Sequence, residues 1–370
     1  MAENDNLTGN LLEFHRSSPL KELSTWGISF SGIVPDSTCN LESISFLDLS
    51  GCNFSGMLPA SLGSVTKLTV LDLGSNQFWG QIPTSLGNLS QLTFLDLREN
   101  NFDVPTLPLT LGKLSKLTRL YLNSQTINYK GMIPSSISQL KYLEDLNFAG
   151  NNLGGKVELD IFLKHRNILH LDLSANKLTV LTKNSTNATI PKFNILGLAS
   201  CNLKKFPNFL QFQDELEMFS FSDNKIHGEI PTWFWNKSKE TMVMVDLLQN
   251  FLTGFEQHPD VIPWWSLISL DLSFNILQGS LPIPPPSIHV YQCFSVSAQS
   301  KSQQFSRHYS SHDGINLKMI DLSQNHLHGL VSRSLENCTL LEILVLGNNQ
   351  MKDTFPSWLG ALPMLQVLIL

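Results

Sequence analysis

The stretch LTVLDLGSNQFWGQIPTSLGNLSQLTFLDLRENNF, residues 68–102, decides the fold. Leucine stands at 68, 71 and 73 and again at 92, 95 and 97, each time with Asn three residues beyond the last, at 76 and 100. In x-x-L-x-L-x-x, successive side chains take opposite faces of a short strand, so the leucines turn inward and the residues between them meet solvent. An Asn amide, with two donors and an acceptor, suits the backbone groups left over where the chain quits the strand. Between the two blocks, the Gly and Pro of GQIP (80–83) make a bend, and SLGNLSQL (85–92) makes a short helical turn.

Outward from this stretch, the first position recurs at Leu20, Ile44, Leu68, Leu92, Leu117, Leu143, Ile168, Phe193, Leu216, Met242, Leu267, Tyr291, Leu317, Leu341 and Leu365, at intervals of 23 to 26 residues. The ninth position is Asn at 76, 100, 151, 176, 224, 250, 275, 325 and 349, and Cys at 52 and 201, where Cys stands in for the amide. Bends of the same kind follow as GIVP (32–35), GMLP (56–59), GMIP (131–134), GEIP (228–231) and GSLP (279–282). This is the period and pattern of a leucine-rich repeat. It predicts an α/β repeat solenoid with a concave parallel sheet and short convex helical turns, because one repeat cannot bury its apolar face alone. With strands about 4.8 Å apart, some fifteen repeats span an arc of roughly 70 Å. The expected segments are a partial repeat over 1–19, repeats over 20–290, a degenerate repeat with a Ser-rich loop over 291–316, and repeats over 317–370. Register at Tyr291, Phe294 and Val296 predicts a degenerate strand in the leucine-free interval 282–316. The first and last residues, DNLTGN (5–10) and QVLIL (366–370), offer no polar cap, so the chain reads as a portion of a longer protein or a truncated product.

Composition fits a solenoid and excludes much else. The 370 residues include 63 leucines and carry a net charge of −6, which lacks the basic field nucleic acid requires. No apolar run reaches the roughly 18–20 residues of a membrane span, and MAENDNLTGN lacks the charged start and apolar block of a secretory signal. The five cysteines, at 39, 52, 201, 293 and 338, have neither the spacing of a zinc site nor that of a disulfide framework. Kinase, P-loop, zinc-hydrolase and Gly-x-Ser-x-Gly motifs are absent, so no enzyme, metal or cofactor is expected. His308, His312 and Asp313 lie in a Ser-rich stretch and read as solvated loop.

Three longer stretches carry a finer resemblance: LGLASCNLKKFPNFLQFQDELEMFSFSDNKIHGEIPTWFWN (196–236), LQGSLPIPPPS (277–287) and NCTLLEILVLGNNQMKDTFPSWLGALPMLQVLIL (337–370). In these the sequence resembles the extracellular region of plant leucine-rich-repeat receptor-like proteins, the group that contains disease-resistance receptors. The resemblance covers nearly the whole chain and is weakest over 297–316. It implies a plant-type superhelix on the outer side of the plasma membrane. It also implies an extracellular peptide or protein ligand, a borrowed co-receptor kinase, and a role in pathogen perception. A secreted inhibitor of a pathogen hydrolase is the alternative, and a non-functional truncated product a third.

Candidate contacts are the solvent-facing strand residues that depart from consensus. Arg98, Glu99, Arg119, Tyr121, Asn123 and Asn147 fall on three successive repeats and predict one charged, aromatic patch, with Arg and Tyr suited to binding hot spots. The Asp-x-Ser residues Asp72, Asp172, Asp271 and Asp321 read as structural. Trp233, Trp235, Trp264, Trp265 and Trp358 read as convex-side packing. Sequons at Asn6, Asn53, Asn88, Asn184, Asn187, Asn236 and Asn337 are expected glycosylation sites, with Asn88, Asn236 and Asn337 on the convex side.

Overall fold

Most L-x-x-L-x-L blocks fold as a three-residue strand whose middle apolar residue is sealed inside, and a ninth-position Asn fastens that strand to the next turn. Asn76 donates from Nδ2 to the carbonyls of Leu49 (2.7 Å), Leu73 (3.2 Å) and Gly74 (3.1 Å), while its Oδ1 accepts from the N–H of Phe54 (3.0 Å). Asn100 repeats the set one step along, reaching Leu73, Leu97 and Arg98 carbonyls and the Phe78 N–H. Cys52 fills the same position with one proton, its Sγ lying 3.0 Å from the Thr25 carbonyl and 3.4 Å from that of Ser50. The computed structural model describes residues 7–16, 18–103, 106–124, 130–182, 190–257, 262–264, 266–281 and 317–370.

The chain divides into two compact units, Met1–Lys183 with Thr189–Pro191, and Asn184–Ala188 with Lys192–Leu370. Sequence predicts a single solenoid, but in such a fold each repeat packs only on its neighbours, and no global core is needed.

In the first unit, seven parallel strands follow one another in the inner sheet: Glu22–Ser24, Phe46–Asp48, Val70–Asp72, Phe94–Asp96, Arg119–Tyr121, Asp145–Asn147 and His170–Asp172. Their registers align Leu47, Leu71, Leu95, Leu120, Leu146 and Leu171 in one buried row. A second, lateral sheet orders Thr8–Asn10, Ser29–Gly32, Asn53–Gly56, Gln77–Gly80 and Asn101–Phe102, an element that the leucine pattern does not announce. Beneath it, Phe54, Phe78 and Phe102 stack at 6.4 Å between successive ring centroids. The convex turns are mostly 3-10 helices, such as Ala60–Ser64, Thr84–Asn88 and Leu109–Lys113, each opening on a Pro at its N-terminal side. They stack closely: a Cβ on Gly87 would lie 2.6 Å from the Thr110 carbonyl oxygen, so only glycine fits.

The second unit's inner strands are Ile195–Gly197, Met218–Ser220, Met244–Asp246, Ser269–Asp271, Met319–Asp321, Ile343–Val345 and Val367–Ile369. Its convex side holds an aromatic cluster in which Trp235 and Trp264 are buried, Phe234 contacts both, and the Trp264 Nε1–H donates to the Lys237 carbonyl at 2.9 Å. The degenerate strand expected at Tyr291–Val296 lies outside the described residues. Ser269–Asp271 pairs directly with Met319–Asp321. Leu277 donates to Asn325 Oδ1 at 3.0 Å, just as Leu252 donates to Asn275. Cys338 is disulfide-bonded, which the scattered cysteine spacing did not suggest.

Candidate ligand-binding face

Third and fifth strand positions share the solvent side of the inner sheet. From the second strand of the first unit the third-position row runs Phe46, Val70, Phe94, then changes to Arg119, Asp145 and His170. The fifth-position row beside it runs Asp48, Asp72, Asp96, Tyr121, Asn147 and Asp172. The consensus thus breaks in both rows on the Arg119–Tyr121 and Asp145–Asn147 strands, and in the third-position row alone at His170.

The break forms a connected network. The Tyr121 hydroxyl donates to Asp145 Oδ2 at 2.5 Å, and His170 Nδ1 lies 3.0 Å from that same oxygen. Phe94 meets the Tyr121 ring edge-on, with centroids 5.7 Å apart. On the other side, the Arg98 guanidinium carbon stands 5.7 Å from the Tyr121 ring centroid, and its Nε lies 3.1 Å from Asp96 Oδ2. Arg98 therefore bridges a carboxylate and an aromatic face, a geometry that holds a long side chain in one rotamer before any ligand arrives. Burial pushes the Asp96 carboxyl up to about 7, outweighing the pull of Arg98, and neighbouring Asp72 pushes the same way. The Tyr121 hydroxyl is also pushed up, first by burial and then by its bond to Asp145, so it stays a proton donor.

Of the expected contacts, the structure brings Arg98, Arg119, Tyr121 and Asn147 to one surface across adjacent strands. Asn123 is only 8% exposed, and its carbonyl accepts from the Glu99 N–H at 3.1 Å, so it supports the face from beneath. Glu99 itself takes a left-handed backbone at φ 48°, which the eighth position adopts in many repeats. Three participants went unnoticed in sequence: Phe94, Asp145 and His170. The available signal was the switch from apolar to ionisable residues at the third position.

Among the described sequons, Asn88 ends the 3-10 turn Thr84–Asn88 and Asn236 follows the helix Thr232–Trp235, both exposed on the convex side. Asn53 is exposed in a lateral strand, and Asn337 closes the turn Arg333–Asn337. Asn6, Asn184 and Asn187 lie outside the described residues, as do His308, His312, Asp313 and Trp265. No group of three or more His, Cys, Asp or Glu could hold a metal ion, and no helix is long and apolar enough to cross a membrane, among the described residues.

The family model "Leucine-rich repeat region" matches residues 24–238, more than half the chain, and "Leucine Rich Repeat" matches 316–338. The chain therefore belongs to the leucine-rich-repeat family, and its sequence places it with plant receptor-like proteins. It is 31% identical to Receptor-like protein 18 of Arabidopsis thaliana over 269 residues, covering 67% of this chain and 31% of that one. It is likewise 31% identical to Receptor like protein 27 of the same plant over 296 residues, covering 68% and 36%. The chain thus spans about a third of the length of these curated relatives. In fold, it resembles the plant peptide hormone receptor RGFR1 in complex with RGF2, with a TM-score of 0.63 and 24% identity over 99% of this chain and 61% of that one. The ectodomain of the Arabidopsis thaliana receptor kinase GASSHO1/SCHENGEN3, in complex with CASPARIAN STRIP INTEGRITY FACTOR 2, gives a TM-score of 0.60 and 23% identity over 98% and 48%.

Proposed function

We propose that this chain is a ligand-recognising portion of the extracellular region of a plasma-membrane receptor-like protein, and that it binds an extracellular peptide or protein in defence signalling. It acts by binding, without catalysis, metal or cofactor, and signalling passes through a co-receptor kinase. The observation that carries this reading is the preorganised Arg98–Tyr121–Asp145–His170 network, with Arg119 exposed beside it on the inner face. A fold shared with the plant peptide hormone receptor RGFR1, solved in complex with RGF2, supports a peptide as the ligand. The Cys338 disulfide supports an oxidising, extracellular setting. Glycans on Asn88 and Asn236, both convex, would leave the inner face open.

The double variant Arg119→Ala with Tyr121→Ala tests the reading. Two hot-spot side chains are worth about 1–3 kcal/mol each, so affinity for the extracellular ligand falls at least tenfold by calorimetry. The melting temperature stays within a few degrees, because neither side chain belongs to the buried leucine row. Unchanged affinity in the double variant overturns the assignment.

A further inference from the structure

The second unit's inner face keeps the apolar third-position row that the first unit abandons after Phe94. Its third-position row is apolar for almost its whole length: Ile195, Met218, Met244, Ser269, Met319 and Ile343 align across consecutive strands, and all six are partly exposed. Methionine side chains are unbranched and adapt to irregular partners, which suits a docking surface better than a fixed core. Beside them the fifth-position row places Asp246, Asp271 and Asp321 on three adjacent strands.

Those carboxylates have hydroxyl and backbone partners but no cation among the described residues. Asp271 Oδ1 accepts from the Ser273 N–H (2.8 Å) and hydroxyl (2.6 Å), whereas its Oδ2 is buried with no hydrogen-bond partner. Asp246 accepts from the Ser220 hydroxyl at 2.7 Å, and Asp321 from that of Ser323 at 2.6 Å. The nearby cation Lys318 is held by Glu342 at 2.7 Å. The first unit shows what such a row accepts. There Arg98, two residues after Asp96, lays its guanidinium on the Asp96 carboxylate. The same position after Asp271 is Ser273, so the second unit offers the acidic seat without the cation.

We infer that the inner face of the second unit docks an extended peptide segment with alternating apolar and basic side chains. The apolar side chains lie on the Met218–Met244–Met319 row, and a lysine or arginine takes the seat over the partly exposed Asp246 and Asp321, with the buried Asp271 carboxylate between them. This inference rests on the reading of the inner face as the binding surface, but it names a different patch and a different ligand chemistry from the network around Tyr121. The five strands from Met218 to Ile343 are crossed in about 19 Å, the reach of roughly six extended residues.

A labelled hexapeptide of alternating leucine and lysine, titrated into the full chain and followed by fluorescence anisotropy, tests it. Saturable binding is expected, at least tenfold tighter than for the leucine–glutamate and glycine–lysine hexapeptides. Ser273→Arg, which supplies the missing cation from within, weakens binding at least tenfold. Met244→Gln with Met319→Gln, which keeps side-chain length on partly exposed positions, does the same. Arg119→Ala with Tyr121→Ala leaves hexapeptide binding unchanged. The inference is overturned if no saturable binding occurs, if glycine–lysine binds equally well, or if both second-unit variants bind as wild type. Loss in the Arg119/Tyr121 variant alone also overturns it while sparing the reading of the first unit. Failure of that first reading would show instead on its own extracellular ligand, with hexapeptide binding intact.

Discussion

At the scale of single residues, the ninth-position amide does more than any leucine to define the turn after the strand. Removing Asn76 does not strand all of its partners equally. The Leu73 carbonyl retains Asn100 Nδ2, and the Gly74 carbonyl retains the Gly51 N–H. The Leu49 carbonyl and Phe54 N–H lose the amide that served them. Two buried groups deprived of partners cost about 2–4 kcal/mol in Asn76→Ala. Asn76→Cys should cost measurably less, because Cys52 shows that one thiol reaches the equivalent carbonyl. Urea denaturation of the two variants checks both the size and the order; equal destabilisation would mean that the thiol contributes nothing. Residue identity also marks where sequence reading stops short. Tyr121 stands out as a departure from consensus, but its partner Asp145 belongs to the next repeat and declares itself only once strands are laid side by side.

At the scale of elements, the convex turns and the inner strands are legible for different reasons. The strands announce themselves through a leucine at every second position. The turns announce themselves through Pro and Gly, although 3-10 rather than α geometry is set by how tightly they stack. A methyl group placed on Gly63, Gly87 or Gly112 would lie 2.3, 2.6 or 2.5 Å from a backbone carbonyl oxygen of the following turn. Backbone cannot rotate aside as a side chain can, so Gly87→Ala is expected to cost about 1–3 kcal/mol. Gly254→Ala, where a methyl meets nothing within 4 Å, should stay within about 0.5 kcal/mol of wild type. Thermal unfolding of the pair checks the contrast, and equal melting temperatures would refute the steric account. The lateral sheet is hidden from sequence because its strands are two to four residues long and their hydrogen bonds lie between repeats, not within one.

At the scale of the whole molecule, the aspartate rows set how stability varies with pH. Burial pushes both Asp96 and Asp271 up to about 7, and Asp72, Asp172, Asp223 and Asp246 are raised for the same first cause. The folded chain then keeps protons that the unfolded chain releases between the ordinary carboxylate range and neutrality, so stability falls as pH rises through that window. Asp214, lowered by the Lys192 ammonium that bonds it, acts oppositely and only at more acidic pH. The melting temperature should therefore be higher at pH 5 than at pH 7.5. Asp96→Asn with Asp271→Asn should flatten the difference, an effect of order 1–3 kcal/mol. A profile that rises towards neutrality in the wild type would contradict the burial of these carboxyls. The direct pairing of Ser269–Asp271 with Met319–Asp321 carries a further consequence, for descent and not for stability. Because the ladder is closed by hydrogen bonds and not by chain spacing, each strand behaves like one letter set into a line of type. Letters can be inserted, dropped or exchanged by recombination between repeats, at a loop cost that grows only logarithmically with length. Recognition can then be rewritten a strand at a time while the leucines beneath never change register.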